Sequence, residues 1–183
     1  MMIISSSPNK NGTTAQLVEK IIEQLPASIP CRVFDAYEMN VQPCIDCGRC
    51  KKNIGCVHHD LDEFFKTYEE ADFVIFAAPV YNMSFPAPMK AIIDRFQMYY
   101  NYRFSLGMRP PVSKPKACGL VLSSGKDDEV SYKYMTLMIK RMLTVANGKL
   151  IAGIAARDRD RMISLPDSFA IKNFVLKLLY ASK

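Results

Sequence analysis

The sequence predicts an α/β fold in which one parallel β-sheet carries helices on both faces. Three observations lead there. Short apolar runs such as Phe73-Val74-Ile75-Phe76-Ala77-Ala78 suit strands covered on both sides. Other stretches repeat apolar residues at helical spacing, as Leu17, Val18, Ile21, Ile22 and Leu25 do. The two kinds of segment alternate along the chain, which is the pattern of a doubly wound sheet.

Taken in order, Met1-Met2-Ile3-Ile4 is too short to be more than the end of a buried strand, and the first helix follows a polar turn at residues 5–14. Pro26 to Pro30 breaks the chain before a second strand, Cys31-Arg32-Val33-Phe34-Asp35. Residues 36–59 hold no sustained period. Asp60-x-x-Glu63 reads as the start of a helix with Leu61, Phe64, Phe65 and Tyr68 on one face. Pro79 ends the third strand, and residues 80–86 form a proline-bearing loop. A third helix starts near Pro88, buries Met89, Ile92, Ile93 and Phe96, and continues into the aromatic run at residues 99–104. Ala117-Cys118-Gly119-Leu120-Val121-Leu122 is a fourth strand ending in Ser123-Ser124-Gly125. A fourth helix turns Met135, Met138, Ile139, Met142 and Leu143 inward, and a fifth strand covers residues 150–155. The last helix carries Phe169, Phe174, Val175, Leu178 and Leu179. Five strands and five helices fit the flavodoxin-like three-layer order 2-1-3-4-5, whose ligand crevice lies at the carboxyl ends of the strands. No repeat or linker interrupts the pattern, so residues 1–183 read as a single domain with a cysteine-rich loop at about 41–59.

Bulk properties narrow the function. An apolar content of 49% supports a folded core. The net charge of +6 is spread along the chain without a dense basic block, so nucleic acid is not expected as a partner. Arg157-Asp158-Arg159-Asp160-Arg161 alternates in sign and reads as a solvated turn. A mild positive balance suits a phosphorylated cofactor equally well. No apolar run is long enough for a bilayer, and the first residues lack the features of a signal peptide. The expectation is a soluble cytoplasmic protein that does not engage a membrane. Four of six cysteines (Cys44, Cys47, Cys50 and Cys56) crowd together, which in that compartment argues for a metal or redox role. Cys31 and Cys118 lie in apolar runs and read as packing residues.

The turn at residues 5–14 stands between a strand and a helix, an order that aims backbone N–H groups and a helix N-terminus at one point. Ser5, Ser7, Thr13, Thr14 and Lys10 are placed to complete a phosphate cradle. The alternative is an ordinary turn in which Thr13-x-x-Gln16 is a capping box. Two further loops, residues 79–86 and 123–125, should meet this turn at the crevice, which favours the cradle.

Four separated motifs resemble the NADPH-dependent FMN reductase family, and in particular its iron–sulfur flavoprotein branch. They are Ser7-Pro8-x-x-x-Gly12-x-Thr14, Cys44-x2-Cys47-Gly48-x-Cys50-x5-Cys56, Pro79-Val80-Tyr81, and Lys90-x3-Asp94-Arg95. Members commonly carry glycine before the Ser-Pro and arginine after it, where this chain has Ser6 and Asn9. They also carry adjacent aspartates past the last cysteine, where this chain has His58-His59-Asp60-Leu61-Asp62.

The resemblance implies FMN as cofactor. Its phosphate would sit on Ser5, Ser7, Asn9, Lys10, Gly12, Thr13 and Thr14, with Lys10 standing in for the arginine. The isoalloxazine ring would lie along Pro79, Val80, Tyr81, Asn82, Met83 and Ser84, with Ser123, Ser124 and Gly125 closing the other side. NAD(P)H is the implied co-substrate, passing hydride to flavin N5 and then on to a small-molecule or protein acceptor. No side chain has to act as acid or base, so no catalytic residue is expected. The cysteine set is compatible with a four-iron, four-sulfur (4Fe-4S) cluster, with tetrahedral zinc, or with no metal. Two activities follow: an NAD(P)H-dependent flavin or quinone reductase, or an iron–sulfur flavoprotein that carries electrons from a ferredoxin-like partner. A homodimer or higher homo-oligomer is also implied, with the aromatic run and the methionine-rich helix as candidate contact surfaces.

Overall fold

The computed structural model describes residues 1–125, 128–159 and 162–181. The sheet strands are β1 (Met2–Ser5), β2 (Arg32–Asp35), β3 (Phe73–Pro79), β4 (Lys116–Ser124), β5 (Gly148–Arg159) and β6 (Met162–Ser164). The helices are α1 (Thr13–Glu23), α2 (Asp62–Glu70), α3 (Ala87–Arg95), α4 (Gln97–Phe104), α5 (Glu129–Leu143) and α6 (Ser168–Tyr180). The spatial order is β2-β1-β3-β4-β5-β6. Its first five strands are parallel and follow the expected 2-1-3-4-5 arrangement.

Period-two alternation along each strand sorts side chains between two layers. Met2, Ile4, Val74, Phe76, Cys118 and Leu120 enter one cluster, beneath α2, α3, α4 and α5. Ile3, Ile75, Ala77 and Val121 enter the other, beneath α1 and α6. The approach of α6 depends on Gly119, where an added Cβ would lie 2.7 Å from Phe174 Cζ. Cys118 is buried as expected, whereas Cys31 is only half-buried.

Three local expectations need correcting. Of the segment expected as a solvated turn, Arg157 to Arg159 are strand: β5 runs through Arg159, and β6 pairs antiparallel with it through Arg157↔Ser164 and Arg159↔Met162. Asp160 and Arg161 lie outside the described residues. The helix read from Asp60 begins at Asp62, because the Asp60 carboxylate is engaged elsewhere. The third helix does not run on through the aromatic stretch but breaks at Phe96, whose buried ring packs edge-on against Phe64, Phe65, Tyr68 and Tyr99. Phe169 is 75% exposed in the first turn of α6, while Phe174, Val175 and Leu178 are buried.

Candidate functional site

Three loops meet at the carboxyl edge of the sheet, and backbone and hydroxyl bonds tie their roots together. Ser6 N–H donates to the Ala77 carbonyl at 2.9 Å, joining the β1–α1 turn to β3. Val80 N–H donates to the Ser123 carbonyl at 2.8 Å, joining the β3–α3 loop to β4. The Thr14 and Ser123 hydroxyls lie 2.6 Å apart in a buried contact that closes the circuit. Ser5, Ser7, Thr14 and Ser123 are all buried here, so their hydroxyls line the root of the crevice.

The capping box does not form. Thr13 is already helical and Gly12 is the cap residue of α1, with no side-chain cap bond. Gln16 Nε2 donates instead to the Asn11 carbonyl at 2.8 Å. The first-turn N–H groups of α1 are therefore left for another acceptor. Asn9 shapes the turn from within: its carbonyl takes Gly12 N–H and the Ser7 hydroxyl, each at 3.0 Å, and its Oδ1 takes Asn11 N–H at 3.0 Å. A Cβ on Gly12 would come within 3.1 Å of Asn9, so only glycine leaves this turn its closeness. Ser6 Oγ is buried with no hydrogen-bond partner among the described residues, in keeping with a group awaiting a ligand. Lys10 extends to Asp35 and to Glu38 (2.6 Å), which raises its pKa through those two bonds and anchors it on the β2 side.

In the β3–α3 loop, Tyr81 and Ser84 exchange two backbone hydrogen bonds of 2.9 Å around Asn82 and Met83. Both central residues have positive φ, 50° and 62°. Asparagine tolerates this well, but a methionine here is strained. Tyr81, Asn82 and Met83 are exposed, as a surface receiving a planar ligand must be. Tyr37, which the sequence reading missed, stands near Tyr81: burial, then Tyr81 and Asp35, push its hydroxyl pKa up. On the far side Ser124 Oγ contacts Tyr132 OH at 2.7 Å, and Gly125 has open space where a Cβ would be.

The four clustered cysteines line one small pocket with Gly48, Arg49, His58, Gln97 and Asn101. All four are free thiols; Cys44 and Cys47 are exposed, and Cys50 and Cys56 half-buried. Among the described residues no three cysteine, histidine or carboxylate groups come close enough to hold one metal ion. A tetrahedral zinc, which needs its sulfurs about 2.3 Å from one centre, does not fit this spread. Four thiols around one pocket are, by donor type and number, the set that a cluster binding each thiolate at a separate iron uses.

Two devices hold this loop. Arg95, 2% exposed, donates to the Gln42 and His58 carbonyls at 2.9 and 3.0 Å and to Asp60 Oδ1 at 2.9 Å. Asp60 also accepts Gln42 N–H at 2.8 Å. Burial opposes the Asp60 charge, but the Gln42 and Arg95 bonds outweigh it and hold the carboxyl below its usual range. Arg95 thus clasps both ends of the cysteine loop, while Asp94 merely pairs with Lys90 at 2.7 Å. The second device is α4, which presents Asn101 to Cys50 and Tyr102 OH to the Gly55 N–H. Arg95 was visible in the fourth motif. The one buried amide within an aromatic run was the signal for Asn101.

A cavity of about 570 Å³ lies away from the crevice, between α4 and α5, lined by Tyr100, Phe104, Met138 and Met142. Among the described residues no helix is long and apolar enough to cross a membrane.

A five-stranded parallel core in this order, with three tied loops at its carboxyl edge, defines a flavodoxin-like protein. Its backbone superposes on an NAD(P)H:quinone oxidoreductase from Methanothermobacter marburgensis with a TM-score of 0.68, covering 99% of this chain and 92% of that one at 19% identity. The chain belongs to the NADPH-dependent FMN reductase family, whose model matches residues 1–156, and is an FMN-dependent oxidoreductase. Similar curated proteins include an iron-sulfur flavoprotein of Methanosarcina thermophila, 30% identical over 82% of this chain and 79% of that protein. Another, from Methanocaldococcus jannaschii, is 27% identical over 79% of this chain and 74% of that protein.

Proposed function

We propose that this chain is a single FMN-binding domain that takes hydride from NAD(P)H and passes the electrons to a separate acceptor. The observation that carries the reading is the uncapped N-terminus of α1 within a turn tied by Thr14 and Ser123 to the other two loops. The orphaned Ser6 hydroxyl and the space that Gly12 keeps clear fit a phosphate. Ser5, Ser7, Asn9, Gly12, Thr13 and Thr14 would hold that phosphate, and Lys10 would join them by leaving Asp35 and Glu38. The loop from Pro79 to Ser84 and the Ser123-Ser124-Gly125 segment would flank the ring. Flavin supplies hydride acceptance at N5 when bound. The chain's part is to orient it: the Tyr81 and Ser84 N–H groups are spent on each other's carbonyls, leaving those of Asn82 and Met83 for the ring's acceptor edge.

Cys44, Cys47, Cys50 and Cys56 would hold a 4Fe-4S cluster, a one-electron centre beside the two-electron flavin. That pocket favours a second reading, in which a ferredoxin-like protein feeds or drains the chain. Free thiols suit a reducing, cytoplasmic compartment. Exposed Tyr100 and Phe104 on α4 and Val130, Tyr134 and Leu137 on α5 are the surface we assign to a homodimer contact.

Anaerobic purification tests the whole reading. Flavin absorption that bleaches on adding NADPH or NADH, with iron and sulfide at about four each per chain, supports it. Flavin that neither nucleotide reduces, yet reduced ferredoxin does, selects the carrier. A colourless protein that does not bind added FMN refutes both.

A further inference from the structure

Asn101 lies in the middle of α4, is 4% exposed, and donates from Nδ2 to Cys50 Sγ at 3.0 Å. A primary amide buried on an aromatic helix is costly unless its N–H groups find acceptors. Its neighbours Tyr99 and Tyr102 are core residues, so the helix cannot rotate to free the amide. A thiolate accepts hydrogen bonds and donates none, so an N–H aimed at sulfur has the polarity that a metal-bound cysteine requires. Tyr102 grips the same loop at Gly55, between Cys50 and Cys56, which fixes the loop backbone against α4. The donor and the sulfur therefore keep their distance when the thiol becomes a ligand.

We propose, on the cluster reading of the four thiols, that Asn101 is a positioning residue. Its amide orients Cys50 and raises the reduction potential of the group held there. The physical cause is charge: one-electron reduction adds negative charge to the cluster and its sulfurs, and an N–H donor stabilises the reduced state more than the oxidised one. The effect falls on one thiolate of the four. Cys44 and Cys47 are exposed and take their polarity from water; Cys50 and Cys56 both sit against the core, and of these two it is Cys50 that receives the amide.

The test compares wild-type protein with Asn101→Leu, which keeps the side-chain shape and removes the donor, and Asn101→Asp, which puts an acceptor in the same place. Each is purified anaerobically, assayed for iron and sulfide, and titrated by electron paramagnetic resonance against potential. The expected order of cluster potential is wild type, then Asn101→Leu, then Asn101→Asp. For the Leu variant the one-electron reduction equilibrium falls about tenfold, which is about 59 mV. A role confined to packing would lower stability and cluster content and leave the potential of the remaining clusters in place; that result overturns the proposal. If Asn101→Leu does not fold, the isosteric Asn101→Asp reports the same shift, larger in size. A wild-type potential unmoved in either loaded variant refutes the role of Asn101 alone. Wild-type protein without iron and sulfide refutes the cluster reading, and this role with it.

Discussion

Removing the Arg95 guanidinium should release the cysteine loop while leaving the sheet intact. In Arg95→Met the Asp60 carboxylate, 16% exposed, keeps its backbone donors, Gln42 N–H among them, and loses its cation. The Gln42 and His58 carbonyls lose their donor as well. Breaking a buried ion pair from one side costs about 3–5 kcal/mol. Here the upper end is softened because water can reach Asp60, and because Arg95 Nε is itself buried without a partner and its removal relieves a small penalty. The expected loss is about 3 kcal/mol, a fall of roughly 10 °C in Tm for a domain of this size. Arg95→Lys should recover about half, since one ammonium reaches the carboxylate but cannot serve both carbonyls. Asp60→Asn added to Arg95→Met should restore part of the loss by removing the stranded charge, giving a coupling of about 1–3 kcal/mol. The sign with pH is also set. The Asp60 pKa is lowered in the folded state, so its contribution is present above the unfolded carboxyl range and disappears as pH falls through the folded pKa. Urea unfolding of these proteins and of Asp60→Asn alone, at neutral and acidic pH, measures all of this. A single Arg95→Met variant within about 0.5 kcal/mol of wild type, with no coupling to Asp60, would refute the clasp.

Gly12→Ala should weaken FMN binding by about tenfold with little change in Tm, because the new methyl presses on Asn9 and opens the turn; fluorescence titration with FMN measures it. Met83→Gly should raise stability by about 1 kcal/mol in thermal unfolding by relieving a left-handed methionine. Lys116 Nζ is buried among the Glu69, Ala71 and Lys114 carbonyls, and burial followed by the Lys114 charge pushes its pKa from 10.5 down to about 8. Between those values the unfolded chain holds more protons, so stability should rise by about 2 kcal/mol from about pH 7.5 to about pH 9.5, and Lys116→Met should abolish that rise in urea unfolding. Gly119→Ala should cost about 1–3 kcal/mol, read by the same assay, because the methyl meets the Phe174 ring.

Much of the fold was legible because burial on both faces writes itself into the chain as continuous apolar runs, and burial on one face as helical spacing. Phe73 to Ala78 and the Leu17–Val18–Ile21 stripe needed nothing else. The Ser-Pro turn was legible as a turn, since glycine, proline and hydroxyl residues between an apolar run and a helical period leave room for neither strand nor helix. Edge features were less so. The alternating charges from residue 157 onward read as a turn, and only the pairing of Arg157 to Arg159 with β6 shows strand there.

Side-chain partners across long sequence separation were decided by tertiary structure alone. Lys10 looks like a phosphate ligand in sequence, yet in the folded chain Asp35 and Glu38, which β2 brings alongside, take its ammonium. Asp60 looks like a helix start, yet its carboxylate belongs to Arg95, which packing of α3 delivers to the loop. Asn101 and Cys50 are 51 positions apart, and no local pattern pairs them. Propensity and hydrophobic period act over one or two turns of chain, so the sequence by itself determined most of the elements, the order of the first five strands and the loops at the carboxyl edge, but neither β6 nor the break between α3 and α4. Hydrogen bonds and ion pairs act only where the fold brings groups together, so which of those loops is held open, and by which residues, was settled in three dimensions.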